Sequence, residues 1–198
     1  PDRIYRNNGD GTFTDVVRDV VPHITWFSMG ADAGDINGDG LLDLLSSDMS
    51  STTHFKQKTT MGAMGSNAEF LEKANPRQYM RNALLVNSGL ERFLEAAYLT
   101  GLDSTDWTWA VKLADFDCDG RLDAFFTNGS VRSFTDSDRT LTLSQRKGKT
   151  EWDIYKDTQP LREQNLVFRN EGDFAFTNVS KDWGLDHLGV SMSAAHGD

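Results

Sequence analysis

The chain has 198 residues, 38% of them hydrophobic and 25% charged, the balance of an ordinary soluble globular protein with a real core rather than of a disordered one. Twenty basic against thirty acidic residues leave a net charge of -10, which argues against a nucleic-acid surface and suits a protein that collects cations. A single cysteine, Cys118, excludes an intrachain disulfide and a cysteine-rich zinc site, and no apolar run is long enough to span a bilayer.

In chain order, the first signal is Arg6-Asn7-Asn8-Gly9-Asp10-Gly11-Thr12-Phe13-Thr14, a tight turn between short extended runs, whose Gly and Asn residues tolerate positive φ. A first strand follows at Phe27 to Gly34, then an acidic loop, then a second strand at Leu42 to Ser46. Positions 48–81 interrupt the pattern, with Met64, Phe70 and Leu71 spaced for one short amphipathic helix over Met61 to Ala74, ended before Pro76. A third strand is expected at Ala83 to Asn87 and a fourth at Arg92 to Ala96. The same order returns at Trp107 to Ala114, Leu122 to Thr127, Leu166 to Asn170 and Phe174 to Val179, with a polar interruption at 128–165.

The recurrence decides the fold. Asn7, Asn87 and Asn170 open three copies of one hairpin and stand 80 and 83 residues apart; Asp35, Asp115 and Asp198 repeat the same two steps. The expected fold is all-β, a β-propeller fragment of two full four-stranded blades at about 27–96 and 107–179. Half blades at 1–20 and 188–198 flank them, and long insertions at 48–81 and 128–165 join strands two and three. Small residues recur on strand one (Ser28, Gly30, Gly34; Thr108, Ala110, Ala114; Ser191, Ser193, Gly197) opposite Phe27 and Met29, Trp107, Trp109 and Leu113, and Val190 and Met192, as blades packed face to face require. Two whole blades with half blades cannot close a ring, so the chain reads as a segment of a parent with further repeats.

The acidic loops run Asp35-Ile36-Asn37-Gly38-Asp39-Gly40-Leu41-Leu42-Asp43 and Asp115-Phe116-Asp117-Cys118-Asp119-Gly120-Arg121-Leu122-Asp123. Side-chain oxygens at positions 1, 3, 5 and 9, with the carbonyl of Leu41 or Arg121 at position 7, can wrap a hard cation that takes six to eight oxygens. Gly at position 6 permits the sharp turn. Ca²⁺ is therefore expected at two sites, with a third loop truncated at Asp198. Magnesium prefers smaller, stricter octahedra, and no His or Cys is placed for zinc. An EF-hand would need a carboxylate at position 12, where Ser46 and Phe126 stand. Four carboxylates against three plus Asn37 predict tighter binding by the second loop.

Strand, Asp-x-Asp/Asn-x-Asp-Gly-x-x-Asp loop, apolar strand and Asn-x-Gly-x-x-x-Phe hairpin together resemble the FG-GAP or VCBS repeat of integrin α-subunit propellers and many secreted bacterial proteins. The long insertions and the run Asn75-Pro76-Arg77-Gln78-Tyr79-Met80-Arg81-Asn82 are similar to bacterial relatives of cartilage acidic protein, whose propellers accompany an ASPIC/UnbV domain. The resemblance implies a calcium-stabilised propeller that is extracellular, at the cell surface or periplasmic.

Alternating strands put the loops and the insertions at opposite ends. The expected function is a non-catalytic binding or adhesion module with structural Ca²⁺, gripping a protein or glycan ligand by the insertions and the turns near 98–106 and 181–189. The alternatives are a carbohydrate-active enzyme of lyase or dehydratase type and a purely architectural spacer. His23, His54, His187 and His196 stand in no recognisable catalytic constellation. Trp26, Trp107, Trp109 and Trp152 could stack on sugars, with blade packing favoured for Trp107 and Trp109.

Overall fold

The computed structural model describes residues 2–60, 73–133 and 147–197. These form fifteen strands and four short helices: β1 Tyr5–Asn7, β2 Phe13–Asp15, α1 Val17–Val20, β3 His23–Thr25, β4 Gly30–Gly34, β5 Asp43–Ser47, β6 Met49–Ser50, α2 His54–Thr60, β7 Arg77–Tyr79, β8 Ala83–Asn87, β9 Phe93–Glu95, α3 Ala97–Thr100, β10 Asp106–Ala114, β11 Asp123–Asn128, α4 Glu151–Tyr155, β12 Glu163–Gln164, β13 Leu166–Gly172, β14 Ala175–Asn178 and β15 Leu188–Gly189. The chain is mostly β.

Two antiparallel meanders dominate. One has the order β4-β5-β8-β9; the other runs β10-β11-β13-β14, with β6 of the first repeat added on its β10 edge. Each follows the chain, so every repeat returns to its own strands by short turns or by an insertion between its second and third strands. The hairpin is built alike three times: the side-chain oxygens of Asn7, Asn87 and Asn170 accept the N–H of Gly9, Gly89 and Gly172 at 2.9, 3.0 and 2.9 Å. The chain then leaves strand four in one turn. The N–H groups of Val16, Ala96 and Val179 donate to the carbonyls of Ile4, Leu84 and Val167 in all three copies.

The meanders meet face to face. Leu45, Leu84, Val86, Ala97 and Leu102 of the first pack with Val111, Leu113, Ala124 and Phe126 of the second in one buried cluster. Their approach depends on small residues along β4: a Cβ on Gly30 would lie 2.7 Å from the Trp109 carbonyl oxygen and 2.9 Å from the Ala110 Cα. Between the glycines on the same strand face, the Asp32 carboxylate accepts the Leu113 N–H at 3.1 Å and pairs with Lys112 at 3.4 Å. The other face of the first meander carries Ala83, Leu85 and partly buried Leu44, covered by Ile4, Val17, Val21 and Ile24. The segment before residue 25 thus closes one side of the first repeat.

Several expectations shift. Strand one begins at Gly30 rather than Phe27: the N–H groups of Trp26 and Phe27 donate to the buried Asp48 carboxylate at 2.8 and 3.1 Å, and that of Trp26 also to the Tyr79 carbonyl at the end of β7 at 3.0 Å, so the pairing with β5 starts only at Gly30. In β10 the register shifts between Thr108 and Ala110, so the simple alternation that set Trp107, Trp109 and Leu113 on one face does not run through the strand. The insertions begin and end in order: β7 pairs parallel with β3, and β12 pairs with β15. Residues 190–197, expected to start another strand, carry none, and Leu188–Gly189 serves β12. The helix expected over Met61 to Ala74 lies almost wholly outside the described residues; ahead of it stands α2. In the second insertion, α4 is opened by a capping box between Thr150 and Asp153.

Candidate metal centre and the opposite cleft

Each acidic loop joins the first two strands of its meander, and its backbone turns through positive φ. Gly38, Gly40 and Gly120 lie at φ 76°, 85° and 89°, and Cys118 at 61°. The first aspartate organises each turn. Asp35 accepts the N–H groups of Gly38, Asp39 and Gly40 at 2.8, 3.0 and 2.8 Å, and Asp115 those of Asp119 and Gly120 at 3.0 and 2.8 Å.

The ninth residue anchors the loop to the sheet. Asp43 is fully buried, and its two oxygens accept the Ile36 N–H at 2.9 Å and the Asn87 N–H at 2.8 Å. Asp123 does the same with Phe116 at 3.0 Å and Asn170 at 2.9 Å. Burial pushes both carboxyls above their usual range. The backbone donors oppose that rise, and Asp39 and Asp35, or Asp117 and Asp119, add to it. A nearby cation would relieve this cost.

Asp115, Asp117 and Asp123 each offer an oxygen within 4.8 Å of the others. Oxygens bound to one Ca²⁺ at about 2.3–2.6 Å stand no more than about 5 Å apart, so this grouping fits a shared calcium ion. In the first loop the matching positions are Asp35, Asn37 and Asp43, two carboxylates and an amide. The fifth positions stand aside: Asp119 pairs with the Arg121 guanidinium, and Asp39 accepts the Asn37 amide at 2.9 Å. Leu41 and Arg121 hold the seventh positions, and the Arg121 Nε donates to the Asn170 carbonyl at 2.7 Å. Asp198 lies outside the described residues.

At the other end of β10, nine residues and roughly 25–30 Å away, is a cleft of about 430 Å³. Thr52 and Lys56 come from the first insertion, Ser104 from the turn before β10, Asp106 from the first position of β10, Glu163 from the end of the second insertion, and Leu188 from the turn at 181–189. Lys56 bridges two largely buried carboxylates, Asp106 at 2.5 Å and Glu163 at 3.2 Å. Thr52 donates twice to Asp106 at 2.9 Å, and the Trp107 N–H donates to Glu163 at 2.8 Å. Burial works to lower the Lys56 pKa, but its two acidic partners outweigh it and the net shift is upward. Burial raises Glu163, and Asp106 adds to that against the opposing Trp107 N–H and Lys56. Asp106 has φ 69°, an uncommon conformation for a residue other than glycine. Sequence reasoning did not single out Lys56, Asp106 or Glu163, because they come from three separate segments with no local motif.

The four histidines are scattered. His23 is buried, with Nε2 2.8 Å from Arg81 and 3.4 Å from Glu95. His54 opens α2, His187 lies against Gly189, and His196 meets Phe116 edge-on. Trp26 stacks on Phe27, Trp109 donates through Nε1 to the Gly129 carbonyl, Trp107 is half-buried beside Glu163, and Trp152 is exposed on α4.

With this geometry in hand, residues 1–46 match the family model described as FG-GAP-like repeat. The matched stretch runs from the first hairpin through α1, β4 and the first acidic loop into β5, so an FG-GAP-type repeat is present there. No curated protein matches the chain. No helix among the described residues is long and apolar enough to cross a membrane.

Proposed function

We propose that the chain is a calcium-held β-propeller segment, similar to the propellers of ASPIC/UnbV-associated proteins, that binds a protein or glycan ligand without catalysis. The observation that carries this reading is the convergence of Asp115, Asp117 and buried Asp123 at a strand-to-strand turn. In this reading Asp123 and Asp43 tie loop to sheet, while the cation offsets carboxylates that otherwise repel one another. Calcium is then a structural pin, and the ligand belongs to the opposite end, where the cleft draws on both insertions. Further repeats of the parent chain would complete the ring. An extracellular, surface or periplasmic setting belongs to the same reading and rests on the resemblance of the repeat.

A second reading, a carbohydrate-active lyase or dehydratase, is favoured by Lys56 held between Asp106 and Glu163 in that cleft. The two readings part at turnover: a binding module takes up glycan without releasing product.

Calorimetric titration of Ca²⁺ into chelator-stripped protein, with thermal melts beside it, tests the calcium reading. Two bound ions and a higher melting temperature are expected; the absence of binding would reduce both loops to acidic turns.

A further inference from the structure

Asn170 sits in the second repeat, is 1% exposed, and spends every polar group on a different partner. Its backbone N–H donates to Asp123 Oδ1 at 2.9 Å, its Oδ1 accepts the Gly172 N–H at 2.9 Å, and its Nδ2 donates to the Leu122 carbonyl at 3.1 Å. The same Nδ2 reaches into the other repeat and donates to the Ile36 carbonyl at 2.9 Å. Ile36 is the second residue of the first acidic loop, and its own N–H donates to Asp43 Oδ2 at 2.9 Å. A continuous buried chain therefore runs from Asp43 through the Ile36 peptide and Asn170 to Asp123, the ninth-position carboxylates of the two loops.

We infer that Asn170 couples the two cation loops, so that filling one raises the affinity of the other; this rests on the calcium reading above. Asp123 can settle toward a cation only with the β13 backbone that holds its other oxygen, and Asn170 carries that constraint to the Ile36 peptide. Ile36 in turn fixes Asp43. Ordering one loop thus meets part of the ordering cost of the other, which is positive cooperativity without a large change of shape. The hydrogen bonds are buried, where their geometry is held most firmly. Asn87 performs the same hairpin task in the first repeat, accepting Gly89 and donating its N–H to Asp43. Asn170 is thus a positioning residue for two sites at once.

Calcium calorimetry on single-loop variants tests this. Asn37→Ala and Asp117→Ala, at the third position of each loop, each weaken one loop at an exposed side chain. Each should lower the affinity of the untouched loop by the same factor, about 5- to 100-fold, because linkage is reciprocal. Both losses should vanish when the variants are repeated with Asn170→Ala. Should that protein not fold, Asn170→Ser removes the Nδ2 donor to Ile36 without adding a charge, and the two loop variants still report on the otherwise native chain. Two ions bound with affinities indifferent to the other loop would overturn the coupling and leave the calcium reading standing. Coupling undiminished without the Asn170 donor would overturn its assignment to this residue, and no binding by the native chain would remove both.

Discussion

Cys118 holds the left-handed backbone conformation that Gly38 holds at the same position of the first loop, φ 61° against 76°. A side chain in that region costs about 1–2 kcal/mol, partly balanced by the extra freedom glycine has when unfolded. Cys118→Gly should therefore raise stability by roughly 0.5–1 kcal/mol, read as a melting temperature about 1–4 °C higher in chelator. Cys118→Val, branched at Cβ, should move it the other way. Equal melting for all three would show that the loop relaxes freely.

The joint between the repeats is a second target. At Gly30 a Cβ would meet the Trp109 carbonyl and the Ala110 Cα, both backbone, at 2.7 and 2.9 Å. Neither can swing aside. Gly30→Val should cost about 1–3 kcal/mol or more through overpacking, measured by urea unfolding. Gly197→Ala is the control, since nothing lies within 4 Å of its added Cβ and its effect should stay within about 0.5 kcal/mol.

These two sites also mark what local sequence carries. Ala83–Asn87 begins and ends where the apolar run and the following Gly predict, and the other seven meander strands fall within about three residues of expectation, because alternation and turn chemistry are local properties. The spacing of Asp35 to Asp43 and Asp115 to Asp123 likewise displays the candidate ligands in the sequence itself. The rest depends on partners far along the chain. Asp48 caps Trp26 and Phe27 from 22 and 21 residues away, Asn170 reaches Ile36 across 134, and Lys56 meets Glu163 through folding alone. No periodicity records such pairings. The Arg121–Asp119 pair is a nearer miss: the two residues are adjacent but one, yet Arg121 entered the sequence reading only through its carbonyl.

That pair makes its own prediction. The Arg121 guanidinium holds Asp119 at the fifth loop position, where a cation would otherwise draw it in. Exposed ion pairs contribute up to about 1 kcal/mol. Arg121→Leu, which copies Leu41 of the first loop, should tighten calcium binding by the second loop up to about fivefold, the equivalent of that energy. Calorimetry at low and high salt checks it, because the native chain should lose part of its handicap as salt screens the pair. Unchanged affinity at low salt would mean that Asp119 takes no part in binding.

The first repeat carries a pH-sensitive contact of its own. Burial alone would raise the Glu95 carboxyl, but hydrogen bonding with His23, the Ala97 N–H and the Arg81 guanidinium outweigh it and bring the pKa down to about 2. A carboxyl lowered on folding contributes stability that is full above its ordinary value of 4.5 and is lost as the pH falls toward 2. The shift corresponds to about 3 kcal/mol at neutral pH. Glu95→Gln should therefore lower unfolding free energy by about 2–3 kcal/mol at pH 7, and the gap to the native chain should narrow steadily below pH 4.5. Arg81→Leu should also raise the Glu95 pKa, since it removes a guanidinium 3.0 Å from the carboxylate, and so should flatten the acid limb of the stability profile. A Glu95→Gln penalty that stays constant from pH 7 to pH 3 would assign the loss to packing beside Leu84 and Ala97 instead of to charge.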